Sequence, residues 1–517
     1  MTTPFSRFLC AAVLSGATTT TITLRAEPWK DPAPPTVQAR EAAAPIKPTA
    51  FDRLKFFAAP SALNPAAQTS DWHRFLGPTD DATSPETHLL HQWPAGGPAK
   101  VWEVGKGDGY TSPAIQGDRL VLFHAEAGKE VLECLHPETG QRYWTQGYTM
   151  EYRDRYGFAN GPRSSPVIAG SRVLTHGVTS VLTCTDLETG QILWQRNLRT
   201  EFNVPQDFFG QGSSPLVLGN KVIVNVGGKG RPVPDDDSEA RYTALADPGL
   251  SVGAFDLETG QLLWGVKDDW GASYASPVPA TIHGKPVVLI YAGGEGNPAT
   301  GGLLTINPED GSVYDRHPWR AEEYIQATGA SPVAIPGQNR VFISTAYPKN
   351  RPLGGVMLEF DEKLKSKELW SSSKFAVHWM NPVYRDGCLY GIHGETERQA
   401  VLVCYDVATG RENWREDLYW DDTELNPGRT ARMGAQRASL LLVDGQFLCL
   451  GELGSLLWLD LNAQGCKVTA RTQLFYAPHT WCLPAVSRGL LYVTQNYDEQ
   501  VRGRTGQRMI CYDLRGR

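Results

Sequence analysis

The chain has 517 residues, of which 41% are hydrophobic, enough to bury a large core in one repetitive domain. Its formal net charge is −7 at pH 7 and no basic run interleaves with aromatics, which argues against nucleic acid as a partner. No apolar stretch beyond the N-terminus approaches the length of a membrane span.

Residues 1–26 read as an export signal: Arg7, an apolar stretch from Phe8 to Ala17, and a cleavage point after Ala26. Arg7-Phe8-Leu9 before Cys10 lacks the small residues of a lipidation site, so soluble export to the periplasm or the exterior is expected rather than a lipid anchor. Residues 27–70 are rich in Ala and Pro, as in Asp31-Pro32-Ala33-Pro34-Pro35, and read as a flexible tether with one short helix near Phe51 to Phe57. A lead-in, residues 71–99, holds Trp72-His73-Arg74-Phe75-Leu76-Gly77-Pro78 and Trp93-Pro94. His88 and His91 in it read as solvated side chains rather than a metal site.

From there one phrase repeats. Cys184-Thr185-Asp186-Leu187-Glu188-Thr189-Gly190 is followed by Trp194, and the same frame runs from Cys134 to Trp144, Ala254 to Trp264 and Cys404 to Trp414. Thr305 to Gly311 and Glu359 to Lys365 are degraded copies, Trp458-Leu459-Asp460-Leu461 is a seventh, and Cys511-Tyr512-Asp513-Leu514 is the last. In each copy the Asp carboxylate can accept backbone N–H groups just ahead and the Gly supplies a positive φ, which makes a hairpin turn. Upstream recurs a small residue followed by Pro: Ser112-Pro113, Ser165-Pro166, Ser214-Pro215, Ser276-Pro277, Ser331-Pro332, Asn381-Pro382 and Leu483-Pro484. Proline suits the first position of a strand because it cannot donate to a ladder.

Alternating runs such as Lys221 to Asn225 lie between the two phrases and bring each unit to four strands. Four-stranded antiparallel sheets repeated radially make an all-β propeller. The count is eight blades, with seven as the alternative because Gln436 to Leu442 lacks the proline. The last unit supplies only three strands, and Lys100 to Val104 is expected to complete it, leaving no open sheet edge. Trp144, Trp194, Trp264 and Trp414 are expected to pack between blades. Cys134, Cys184, Cys404 and Cys511 share one strand slot with Ala254 and Thr305, so they read as buried free thiols; Cys466 and Cys482 are the pair to watch for a bridge.

The repeat, Ser-Pro-Val through Asp-x-Glu-Thr-Gly-x-x-Leu-Trp, resembles the pyrroloquinoline-quinone-like propeller repeat over about residues 100 to 517. That repeat is shared by quinoprotein dehydrogenases and by non-enzymatic propellers such as outer-membrane assembly lipoproteins. The dehydrogenase side of the resemblance implies a quinone held over the axis with Ca²⁺, Glu and Asn ligands and an Asp base, often above a vicinal disulfide. This chain has no vicinal Cys pair and no C-x-x-C-H, and its residues match no such Glu, Asn and Asp one by one. Fold and function are separable, so the expectation is no cofactor, with pyrroloquinoline quinone and Ca²⁺ as the alternative.

Long connections, Tyr148 to Pro162, Phe202 to Gly212, Lys229 to Gly249 and Tyr419 to Ala435 among them, gather on one face of such a propeller, the usual place for a binding surface. The acidic run Asp235-Asp236-Asp237 reads as a solvated loop, and Gly227 to Gly230 and Gly293 to Gly296 as flexible loop ends. Residues just before each innermost strand should ring the axial funnel on that face: Tyr110, Arg163, Gln211, Ser273 with Tyr274, Thr328, His378 with Trp379, Arg437, and His479 with Trp481. Such a ring either holds an anionic or planar ligand or caps strand ends around a water plug. The expected function is a monomeric scaffold binding a protein, an envelope polymer or a small ligand without catalysis; the alternative is a quinone-dependent alcohol or sugar dehydrogenase.

Overall fold

The computed structural model describes residues 29–40, 45–94, 96–236, 238–293, 300–321, 328–346, 353–394, 396, 398–425, 428–499 and 501–516. The expected export signal, Cys10, Asp237 and Gly294 to Gly296 lie outside them. Eight four-stranded antiparallel sheets form the body: blade one spans 114–149, blade two 167–197, blade three 216–268, blade four 278–318, blade five 333–372, blade six 383–416 and blade seven 439–473. Blade eight joins Ala485–Ser487, Leu490–Gln495 and Arg508–Asp513 to the early strand Ala99–Gly105. In that closing pair Trp102 lies opposite Cys511 and Val104 opposite Met509. Blade seven forms without the proline, since Ser439–Val443 pairs normally with Gln446–Leu450; Thr83–Ser84 of the lead-in adds a parallel strand on its axial side.

The two sequence phrases join blade to blade at opposite radii. At the hairpin, Asp186 Oδ1 accepts the N–H groups of Glu188 and Thr189 at 3.1 and 2.9 Å, as its position before the turn requires. In six blades the outer-strand tryptophan donates its indole N–H to the hairpin of the next, among them Trp102 to Pro137 at 2.7 Å, Trp144 to Leu187 at 2.9 Å, Trp194 to Leu257 at 2.9 Å and Trp370 to Val407 at 2.8 Å. Gly190, at φ 75°, lies under the Trp144 ring so closely that a Cβ would come within 2.6 Å of it, so the glycine serves both turn and interface.

At the axis, the serine ahead of each proline donates its N–H to the side chain of its counterpart in the following blade. Ser112 donates to Ser165 Oγ at 3.0 Å, Ser165 to Ser214 at 2.8 Å, Ser214 to Ser276 at 3.0 Å, Ser276 to Ser331 at 3.0 Å, and Ser331 to Asn381 Oδ1 at 3.0 Å. The relay stops at blades seven and eight, where the sequence has no Ser-Pro.

Residues 29–40 and 45–70 lie on the rim instead of extending free. Asp31 pairs with the buried Arg196 at 2.6 Å, Gln38 N–H donates to Leu193 O at 2.7 Å, Arg40 pairs with Asp186, Thr49 bridges to Arg142, and Ser61 N–H donates to Asp513 Oδ2. Where a helix was expected, Leu54–Phe56 is a strand beside Trp102–Val104, because the outer edge of blade eight offers ladder partners. Arg196 also holds Glu201 and the Gly260 carbonyl. Asp31→Ala is therefore expected to cost about 1.5–3 kcal/mol locally, the worth of hydrogen bonds to a charged group. Limited proteolysis within residues 29–48 should accelerate severalfold while the main unfolding transition barely moves.

Among the described residues the cysteines are free thiols, and Cys134, Cys184, Cys404 and Cys511 are fully buried. Cys466 sits on the outer strand of blade seven and Cys482 at the axis, so they do not form a pair.

Candidate functional site

A cavity of about 230 Å³ opens on the axis where the blade-to-blade connections meet. Its wall is built from the residues entering each blade: Tyr110 for blade one, Arg163 for blade two, Gly212 and Ser214 for blade three, Tyr274 for blade four, Gly329 for blade five, His378 and Trp379 for blade six, Arg437 for blade seven, Trp481 and Cys482 for blade eight. Phe158 and Phe209 reach in from the connecting loops and Phe75 from the lead-in. The funnel read from sequence is thus largely one cavity wall, but not wholly. Gln211 is buried, with its N–H on Val178 O at 2.9 Å, and His479 stacks behind Trp481 at 4.1 Å and 21°. Ser273 turns its hydroxyl to the Tyr291 carbonyl, and Thr328 accepts the Tyr274 N–H at 2.9 Å.

Both arginines of the wall are held by carboxylates that sequence reasoning missed. Arg163 Nη2 bonds Asp154 Oδ2 at 2.8 Å, and Asp154 also takes the N–H groups of Tyr156 and Phe158, fixing the loop that carries Phe158. Arg437 forms a two-point pair with Glu452, with Nε to Oε2 at 2.9 Å. Glu452 Oε1 also accepts the Trp481 indole N–H at 2.9 Å. The Arg437 guanidinium packs beside the touching pair Trp379 and Trp481, 5.0 and 5.1 Å from their ring centres, which are 4.8 Å apart. Arg437 and Trp481 are each fixed by a bond to Glu452 and by ring contacts, and Trp379 packs against both. Below them the buried Lys106 donates to the carbonyls of Gly107 and Gly109 next to Tyr110, and burial pushes its ammonium down to about 8. Burial likewise pushes the Tyr110 phenol upward.

The wall fits pyrroloquinoline quinone and Ca²⁺ poorly. Among the described residues, its lining holds no Asp, Glu or Asn to ligate a hard cation, and the two guanidiniums suited to quinone carboxylates are already engaged by Asp154 and Glu452.

Other residues singled out from sequence have structural surroundings. Asp235 and Asp236 are exposed, as expected of a solvated loop, and Asp235 also pairs with Arg199 and accepts Arg155 through its carbonyl, tying the long loop of blade three to the loops before it. His91 bonds Asp444 at 2.9 Å and stacks on Trp458 at 4.7 Å, so it is a packed residue, while His88 is exposed.

Residues 127–416 match the sequence profile of the family described as outer membrane protein assembly factor BamB, more than half of the chain. The chain belongs to this family. Among curated proteins none matches it. Among solved structures, this BamB-family propeller is similar to quinohemoprotein alcohol dehydrogenase from Comamonas testosteroni, at TM-score 0.55 and 12% identity over 86% of this chain and 81% of that one. The quinohemoprotein alcohol dehydrogenase from Pseudomonas putida gives TM-score 0.56 and 11% identity over 86% and 80%. BamB from Moraxella catarrhalis gives TM-score 0.46 and 13% identity over 80% and 97%. At such identities the likeness concerns the fold alone. No described helix is long and apolar enough to cross a membrane.

Proposed function

We propose that this BamB-family propeller is an exported, non-catalytic binding protein whose loop-rich face docks a protein partner, with the axial cavity as its anchoring pocket. The observation that carries this reading is the aromatic wall, whose two arginines are each paired with a carboxylate behind it and which, among the described residues, holds no Asp or Glu in its lining to act as a base. Size supports it: 230 Å³ lies below the roughly 300–1,000 Å³ of typical cofactor and drug-sized sites and suits a single inserted side chain. The expected export signal and the family's outer-membrane description support an envelope location.

A photo-crosslinking amino acid placed at Phe158 or Phe209 should give discrete protein adducts in the producing cell, while the same residue at Asp118, on the opposite face, should give none. Trp379→Ala should cut the adducts at least fivefold. Equal labelling from both faces, or dye-linked alcohol oxidation by the purified protein with pyrroloquinoline quinone and Ca²⁺, would overturn the proposal.

A further inference from the structure

We infer that Glu452 is the charge filter of the axial cavity, so that the pocket selects one uncharged aromatic ring and rejects aromatic carboxylates. The inference rests on the cavity being the binding site.

Seven aromatic side chains line the wall, and the cations among them are Arg163 and Arg437. An aromatic box beside an unpaired guanidinium would favour an anionic ring, since the charge and the stacking faces would act together. Here that attraction is cancelled at source. Glu452 is nearly buried, side chain 4% exposed, and grips Arg437 by two points, so the N–H fork is spent on Glu452 rather than offered to a ligand, with the guanidinium packed beside Trp379 and Trp481. The same carboxylate accepts the Trp481 N–H, which leaves that ring's polar edge turned away from the cavity. Asp154 does the equivalent for Arg163, with a side chain that is fully buried. An anionic ligand would therefore meet two carboxylates behind the wall as well as two arginines, and the remaining cation, Lys106, is spent on the carbonyls of Gly107 and Gly109, so the gain from charge is small. A neutral ring loses little on entering and gains contact with up to three aromatic faces. Glu452 touches the wall and not the ligand, so it is a positioning residue.

The full chain is titrated with indole, p-cresol and indole-3-acetate by calorimetry and by quenching of tryptophan fluorescence, at two ionic strengths. Wild type should bind indole or p-cresol at least tenfold more tightly than indole-3-acetate. Glu452→Gln keeps an acceptor for Trp481 but releases Arg437, and should raise affinity for indole-3-acetate at least tenfold, in a salt-sensitive way, with indole changed less than threefold. Asp154→Asn, acting through Arg163, gives the same direction and serves if Glu452→Gln does not fold. Unchanged selectivity in the folded variants, or a wild type that prefers the carboxylate, would overturn the charge filter while leaving the pocket as the site. No ring bound by wild type would overturn both.

Discussion

Trp102→Ala is expected to lower the unfolding free energy by about 3–5 kcal/mol, the range for removing a large buried aromatic. Trp102 is fully buried in the strand that closes blade eight, 6.0 Å from the Tyr492 ring of that blade's C-terminal portion, and its indole N–H reaches Pro137 of blade one. It thus packs on both sides of the one place where the ring is joined by ladder hydrogen bonds instead of chain. Trp144→Ala is the comparison, because that side chain spans blades one and two, which the backbone already connects. Urea denaturation of the two variants should show Trp102→Ala as the costlier. A loss under about 1 kcal/mol for Trp102→Ala would mean the closure does not depend on this side chain.

Glu130→Gln is expected to flatten the fall of stability with rising pH. Glu130 lies on blade one, fully buried, and accepts the Val178 N–H and the Tyr148 hydroxyl, each at 2.7 Å, tying blade one to the loop of blade two. Burial pushes its carboxyl from the ordinary 4.5 up to about 7. A raised carboxyl holds its proton better in the folded state, so its contribution is complete below about pH 4.5 and is lost as pH climbs through 7. That shift corresponds to roughly 3 kcal/mol. Wild type and Glu130→Gln should therefore unfold alike near pH 4.5, and the variant should be the more stable at pH 8 by up to that amount. Thermal scans at the two pH values decide it; a wild type as stable at pH 8 as at pH 4.5 relative to the variant would count against a protonated Glu130.

The architecture was legible because it is written many times over. Asp186, Gly190 and Trp194 each perform a local or nearest-neighbour task that any blade must solve, so the same letters recur. The serine of Ser-Pro was visible as a repeat but its role was not, since its partner is one blade away and only the closed ring brings the two together. The cavity wall shows the same division. Tyr110, Tyr274, Trp379 and Trp481 could be placed because they hold a fixed offset from an innermost strand. Phe75, Phe158 and Phe209 come from the lead-in and loops that share no register, and Asp154 and Glu452 stand behind the arginines they pair with. Residues 29–40 and 45–70 misled for a related reason: their Ala and Pro content suggests a tether, whereas single long-range partners such as Arg196 and Glu133 hold them.

The closing pair also bears on how the molecule is made. The strand Ala99–Gly105 is synthesised about 400 residues ahead of its ladder partner Arg508–Asp513. At about 5–20 residues per second the early strand waits roughly 20–80 s with one edge open. Leu54–Phe56, synthesised just before it, pairs with the opposite edge of that strand. The nascent chain can therefore carry a ready two-stranded seed, half protected against mispairing, to which the finished propeller docks its final strand.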